Sequence, residues 1–307
     1  MKALITAGGH GTRLRPITHT QNKHLIPIAN KPMLEYAIEY VRDAGVSEVG
    51  IIIKGHGLDS HLQEIIGDGS RFGVKITYIE QLVPGGLAQC VQLAEDFIAG
   101  DEFIFYLGDN IIVGGISQFV EEFRVRKSNC HLVLARVPDP ERFGVPEIQG
   151  NQIIGVEEKP QNPKSDFAVT GIYIYDSSIF EAVKSIKPSA RGELEISDAH
   201  QWLLDQGKSV SFSEITGWWK DTGKPNDLLE ANRLMLDSIQ SDIRGEVDEL
   251  SSIEGRVQIG DGSTVTNSIV RGPAVIGKNV ILKNVYIGPF TSISDDCIVE
   301  NSEVEFS

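Results

Sequence analysis

The sequence is poor in cysteine, in long apolar runs and in basic charge. Its cysteines are Cys90, Cys130 and Cys297, an odd number with no CxxC pair. That spacing supports neither a disulfide framework nor a zinc site, and a reducing, cytoplasmic setting is expected. No apolar run approaches the ~20 residues that a bilayer span requires, so an integral membrane protein is excluded. The opening Met1-Lys2-Ala3-Leu4-Ile5-Thr6-Ala7 breaks into Gly8-Gly9, which is too short for a signal peptide. There are 28 Lys and Arg against 43 Asp and Glu, a net charge of −15. A duplex nucleic-acid binder carries a basic face, so no nucleic-acid partner is expected. Small anionic substrates remain open. Charges beyond a Debye length of ~8 Å are screened. One cation ~4 Å from a phosphate contributes a few kcal/mol at an effective dielectric of about 20. At 41% hydrophobic and 23% charged residues, the composition is that of an ordinary globular protein, and 307 residues leave room for about two domains.

Residues 2–7 form an apolar run stopped by glycines, as a buried strand would be. After Pro32, residues Leu34, Ala37, Ile38, Val41 and Ala44 recur at helical spacing up to Gly45. Strands are expected over 49–53, 74–79 and 103–107, with a helix over 86–98 between the last two. Further strands are expected near 131–137, 152–157, 168–175 and 209–215, and helices near 196–206 and 226–240. This rhythm predicts an α/β, Rossmann-like domain over 1–240 with a mostly parallel mixed sheet. Ligands in such sheets sit beyond the carboxyl ends of the strands, here Ala7-Gly8-Gly9 and Leu107-Gly108-Asp109. The polar, acidic stretch 241–250 reads as a linker. From Ile253 onward aliphatic residues recur about every six positions through Ile259, Val265, Val270, Ile276, Leu282, Ile287, Ile293, Val299 and Val304. That period predicts a parallel β-helix over 251–307, of about three coils at roughly 18 residues each. Its last coil has no evident cap, so either a second subunit or further chain is expected to cover it.

Four features carry chemistry. Gly8-Gly9-His10-Gly11-Thr12-Arg13 follows the first strand. Glycines let backbone N–H groups approach an anion, and Arg13 suits bidentate grip of a phosphate. No Walker A or GxGxxG pattern is present. His10 reads as a filler of that loop. Lys23, ten residues after Arg13, could return to the same phosphates. Asp109 and Asp221 could hold a magnesium ion beside them. Taken singly, each is an ordinary feature: a glycine turn, a solvated lysine, two turn or cap aspartates. Trp218 and Trp219 read as packing beside Asp221.

The motifs GGHGTRLRPIT, Lys23 with Pro27, NKPM, GDGSRFGV, Gln81 with GGLAQ, LGDN, FGV, EEKP, AVTGIYIYD, RGELEISD and WWKDTG occur in order along the chain. In this set the chain resembles the sugar-1-phosphate nucleotidyltransferases, and among them the branch that joins glucose 1-phosphate to thymidine nucleotides. Longer members of that family append a left-handed β-helix. The resemblance implies the reaction of a nucleoside triphosphate with a sugar 1-phosphate to give a nucleotide sugar and pyrophosphate, with Mg²⁺ as cofactor and a homo-oligomer as the assembly. It implies that Gly8, Gly9, Gly11, Thr12 and Arg13 hold the triphosphate, with Asp109 beside it. Lys23 would meet the α-phosphate region, and Gln81 and Gly86 the base. Asp109 and Asp221 would bind the metal. Gly144, Glu158 and Thr170 would line the sugar, and Lys159 and Arg191 its phosphate. Arg13, Lys23 and Lys159 form the implied catalytic set.

One residue departs from the family pattern. Many members carry glutamine after the active-site lysine, where this chain has His24, so the resemblance leaves dTTP and UTP both open. The rival readings are a UTP-dependent enzyme acting on glucose 1-phosphate or an N-acetylamino sugar 1-phosphate, and a non-catalytic paralogue. The latter is expected to have lost Arg13, Lys23, Asp109 or Asp221, and all four are present. Residues 251–307 contain no histidine, which argues for a structural or oligomeric β-helix over an acetyltransferase.

Overall fold

The computed structural model describes residues 1–9, 11–57 and 59–307; His10 lies outside them. The chain divides into two compact units. One comprises Met1–Gly11, Ile17–Leu25 and Leu34–Asp221; the other Thr12–Pro16, Ile26–Met33 and Thr222–Ser307.

The first unit is built on a nine-stranded sheet among the described residues. Strands Lys75–Gln81, Glu48–Lys54, Lys2–Thr6 and Phe103–Leu107 run parallel and adjacent. The sheet then turns antiparallel through Phe167–Tyr175, which pairs with Cys130–Arg136 and with Gly144–Gln149, the latter continuing into Gln152–Glu158. Val210–Glu214 lies parallel to Cys130–Arg136 at the edge. Alternation sorts the strand residues to two faces. Ala3, Ile5, Ile104 and Tyr106 enter one apolar cluster, and Leu4, Phe103 and Phe105 the other. The first cluster also takes the whole expected stripe of helix Met33–Asp43 and its end, Leu34, Ala37, Ile38, Val41 and Ala44. The expected helix over 86–98 is two, Leu87–Leu93 and Glu95–Ile98, separated at Ala94. No described helix is long and apolar enough to cross a membrane.

The second unit carries the β-helix as three parallel sheets of four short strands. Ile253 pairs with Val270, Val270 with Ile287, and Ile287 with Val304. The rise per coil is therefore 17 residues, not 18. The ten aliphatic residues step by six, six and five, and all pack in one cluster. At one corner Asn267, Asn284 and Asn301 adopt φ of 45°, 53° and 50°, a left-handed conformation that asparagine tolerates. Their amides stack, Nδ2 to Oδ1, at 2.8 and 3.1 Å.

Two expectations about boundaries are corrected. Residues 241–250 do not form a linker: Asp242–Ile243 and Glu246–Val247 pair with Val257–Ile259 and Thr264–Thr266 as the first of four rungs. Their acidic composition hides the repeat. Helix Pro225–Asp237, expected in the sheet domain, belongs to the second unit. There Asn232 accepts from the Ala29 N–H at 2.7 Å, Arg233 lies 5.1 Å over the Phe290 ring, and Asp237 pairs with Arg256 at 2.6 Å.

The first unit buries three histidines in neutral form. Burial, reinforced by the Lys23 charge, pushes His24 down to about 3. Burial likewise pushes His131 to about 4 and His200 to about 3. His131 is held by Ser211 at 2.7 Å and Ser213 at 2.8 Å, and His200 by the Tyr175 hydroxyl at 2.6 Å. Below pH ~6.5 the unfolded chain takes up protons that the folded chain refuses, so stability falls with falling pH. Denaturant titrations at pH 7.5 and 5.5 should differ by about 4 kcal/mol from these three groups together. Equal midpoints would show that the histidines are protonated or solvated in the fold.

Candidate active site

The carboxyl ends of the parallel strands converge as the sheet rule requires. Lys2–Thr6 runs into Ala7-Gly8-Gly9, Phe103–Leu107 into Gly108-Asp109, and Lys75–Gln81 ends on Gln81 itself. They open on a cavity of about 310 Å³. Nine residues proposed from the sequence line it: Gly8, Gly9, Lys23, Gln81, Gly86, Asp109, Glu158, Lys159 and Arg191.

Lys23 stands in the 3-10 turn Lys23–Leu25, and its ammonium is bonded to the Asp109 carboxylate. Their side chains are only 12% and 15% exposed, so each charge depends on the other. Burial opposes ionisation of Asp109, but the Lys23 ammonium and hydrogen bonds hold its carboxyl below the usual carboxylate range. Two glycines make room here. A Cβ at Gly9 would meet Lys23 Cε at 3.1 Å, and one at Gly108 would meet the Thr6 carbonyl oxygen at 2.5 Å. The His24 ring lies between them, its Cε1 towards Gly9 and its Cδ2 towards Gly108.

Asp109 is oriented by a residue the motif reading left without a role. Asn110 Nδ2 donates to Asp109 Oδ1 at 3.1 Å, while Asn110 Oδ1 accepts from Trp219 Nε1 at 2.6 Å. Gly171 is what admits that amide, since a Cβ there would lie 2.6 Å from it. Trp219 also meets the Phe143 ring edge-on at 5.7 Å. Strand Trp219–Asp221 pairs antiparallel with Asn110–Ile112, and Asp221 faces Asn110 in that register. Asp109, the residue before Asn110, is therefore one position out of register with Asp221. Among the described residues no group of three His, Cys, Asp or Glu side chains is placed to hold a metal ion by itself. Two hard carboxylates with substrate phosphate oxygens suit magnesium, which keeps few protein ligands, so the residues present fit that ion.

At the other end of the cavity Arg191 is held by Glu195 at 2.8 Å, Glu158 at 3.5 Å and Glu193 at 3.8 Å. Lys159 pairs with Glu158 at 3.3 Å. Glu193 and Glu195 line the cavity too; nothing in their spacing announced them. Ser197 donates to Glu158 at 2.7 Å, and Gly144 leaves space for that pair, its Cβ position lying 2.6 Å from Ser197 Oγ. The segment carrying Arg191 is tied to the Gly86 loop: Leu194 N donates to Gly85 O at 2.8 Å, and Ala88 N to Leu194 O at 3.1 Å.

Other proposed residues lie off this wall. Thr170 is fully buried and its hydroxyl donates to the Val133 carbonyl at 2.8 Å. Gly11, at φ 61°, packs on Thr18 and Lys23 Cβ. Thr12 and Arg13 fall in the second unit, where the Arg13 guanidinium lies 3.2 Å from the Cβ position of Gly223 in the WWKDTG segment.

The nucleotidyl transferase family model matches residues 2–238. The chain belongs to the nucleotidyl transferase family. It is 53% identical over 308 residues to a glucose-1-phosphate thymidylyltransferase of Streptomyces griseus, a match spanning 100% of this chain and 86% of that one. It is 48% identical over 309 residues to the enzyme of the same name from Streptomyces antibioticus, again spanning 100% and 86%. Among solved structures, one from Bacillus anthracis assigned as a glucose-1-phosphate thymidylyltransferase, in complex with sucrose, superposes with a TM-score of 0.71. It is 45% identical, covering 76% of this chain and 94% of that one. A UDP-glucose pyrophosphorylase complexed with UDP-glucose, 23% identical with a TM-score of 0.69 over 77% of this chain and 98% of its own, shares the family's fold.

Proposed function

We propose that this nucleotidyltransferase joins a pyrimidine nucleoside triphosphate, dTTP in preference, to glucose 1-phosphate, giving dTDP-glucose and pyrophosphate. The observation that carries this reading is one cavity walled by Gly8, Gly9, Lys23 and Asp109 at one end and by Glu158, Lys159 and Arg191 at the other, in a chain 53% identical to a thymidylyltransferase along its whole length.

A sugar phosphate oxygen is already anionic, so the reaction needs no general base. That oxygen attacks the α-phosphorus in line, and the α–β oxygen bridge breaks with its electron pair leaving on pyrophosphate. The obstacles are repulsion between two polyanions and charge growing on the leaving group. Lys23 supplies positive charge at the α-phosphate, and Lys159 with Arg191 at the sugar phosphate. Gly8, Gly9 and Gly11 offer N–H groups to the triphosphate. Gln81 and Gly86 meet the base, and Gly144 and Glu158 shape the sugar's end. Asp109 and Asp221 would hold Mg²⁺, which when bound neutralises phosphate charge.

Pyrophosphate release is measured with dTTP, UTP, GTP and ATP against glucose 1-phosphate and N-acetylglucosamine 1-phosphate, with and without a chelator. The highest kcat/KM is expected for dTTP with glucose 1-phosphate, and no turnover with chelator. One methyl separates thymine from uracil, so UTP should follow within ~10–200-fold. Preference for a purine nucleotide would overturn the reading.

A further inference from the structure

Behind Lys23 lies a polar hub that the motifs do not mark. Asn22 uses its amide fully. Its Nδ2 donates to the Ala7 carbonyl and to Asp59 Oδ1, both at 2.8 Å. Its Oδ1 accepts from the His24 backbone N–H at 2.9 Å and from His24 Nδ1 at 2.7 Å. Two of these partners are backbone groups of fixed polarity, so the amide has one orientation and His24 is the Nδ1–H tautomer. The Asn22 carbonyl also accepts from Leu25 N at 3.0 Å. One residue thus pins both the end of the first strand and the turn 23–25.

Asp59 completes the hub from another loop, 37 residues from Asn22. It is 3% exposed. Its Oδ1 takes Asn22 Nδ2, its Oδ2 takes the Lys54 N–H at 2.8 Å, and the Lys54 ammonium stands 3.8 Å away. A buried carboxylate is retained only where its acceptors are used. Here both oxygens face donors that cannot turn round.

Building on the proposed transfer reaction, we propose that Asp59, acting through Asn22, is a positioning residue: it locks the turn that aims Lys23 at the substrate phosphates. Asparagine at 59 is nearly the same shape but must present its NH₂ to one of two fixed donors. It therefore either releases Asn22 or uncaps Lys54. Asp59 and Asn22 also border a second cavity of about 200 Å³, which can hydrate the altered site.

The test is a steady-state comparison of D59N, N22A, K23A and the doubles D59N/K23A and N22A/K23A, with thermal melts on each. Misplacement of a catalytic group by an ångström costs about 10²-fold. D59N is expected to lose about 10–10² in kcat with both KM values changed less than about threefold. K23A should lose about 10²–10³. Added to K23A, D59N should cost less than a further factor of about two, because the group it positions is gone. If D59N does not fold, N22A and its double carry the same comparison. Wild-type kcat in folded D59N or N22A overturns the proposal. So does a full second loss on the K23A background, which would mark Asp59 as a plain loop cap. A wild-type chain that releases no pyrophosphate from any nucleotide overturns the transfer reading, and this one with it.

Discussion

Asp109→Asn should lower pyrophosphate release by at least about 10³-fold while leaving the fold intact. The substitution keeps the volume and removes the charge. Lys23 loses the carboxylate that neutralises it, the proposed metal pair loses one of its two anions, and the new NH₂ competes with Asn110 Nδ2, which now donates to the Asp109 oxygen at 3.1 Å. Breaking a well-buried pair typically costs 3–5 kcal/mol. The cost here should fall nearer about 1–2 kcal/mol, because both groups line an open cavity where water can reach the stranded ammonium. Activity should therefore fall far more than stability. Initial rates with saturating dTTP, paired with a thermal melt, separate the two. Turnover within tenfold of the parent would remove Asp109 from the reaction.

The second large effect is expected from Gly86→Ala. Gly86 has φ of 97°, and a Cβ there would lie 2.4 Å from the Leu194 carbonyl oxygen and 2.8 Å from its nitrogen. Those are backbone atoms and cannot rotate away. The left-handed conformation adds about 1–3 kcal/mol of strain for alanine. The segment around Leu194 must move, and Arg191, Glu193 and Glu195 move with it. We expect kcat/KM for the sugar phosphate to fall about 10²-fold. Gly150→Ala is the control: its φ is 62° but nothing lies within 4 Å of its Cβ position, so it should lose a little stability and no activity. Equal effects of the two substitutions would show that backbone strain, and not the Gly86–Leu194 contact, is responsible.

Legibility of the fold followed periodicity. The parallel strands and the stripe of the 33–43 helix were readable because alternate or helically spaced apolar residues enter definite clusters. The ten β-helix aliphatics were readable for the same reason, but the five-residue step that sets the coil at 17 residues, not 18, was smoothed over by the average period of six. The first rung was hidden, because the large apolar residues of the acidic stretch 241–250, Ile243, Val247 and Leu250, do not stand six apart. At the site, motif glycines and charges identified the cavity wall. What escaped were the groups that hold those residues: Asn110 behind Asp109, Asn22 and Asp59 behind Lys23, and Glu195 behind Arg191. Each works through one or two hydrogen bonds to a distant loop, and a single polar residue has no period to give it away. Thr170 shows the reverse case. It sits in a telling motif, yet its hydroxyl is spent on a carbonyl inside the sheet.

The strict register of the asparagine corner restricts how the β-helix can change length. Loss or duplication of a whole 17-residue coil returns every inward aliphatic and every corner amide to an equivalent place. A one-residue insertion within a strand turns the rest of that strand inside out. Size variation among proteins built this way should therefore come in quanta of one coil, with the outward-facing side chains free to drift between them.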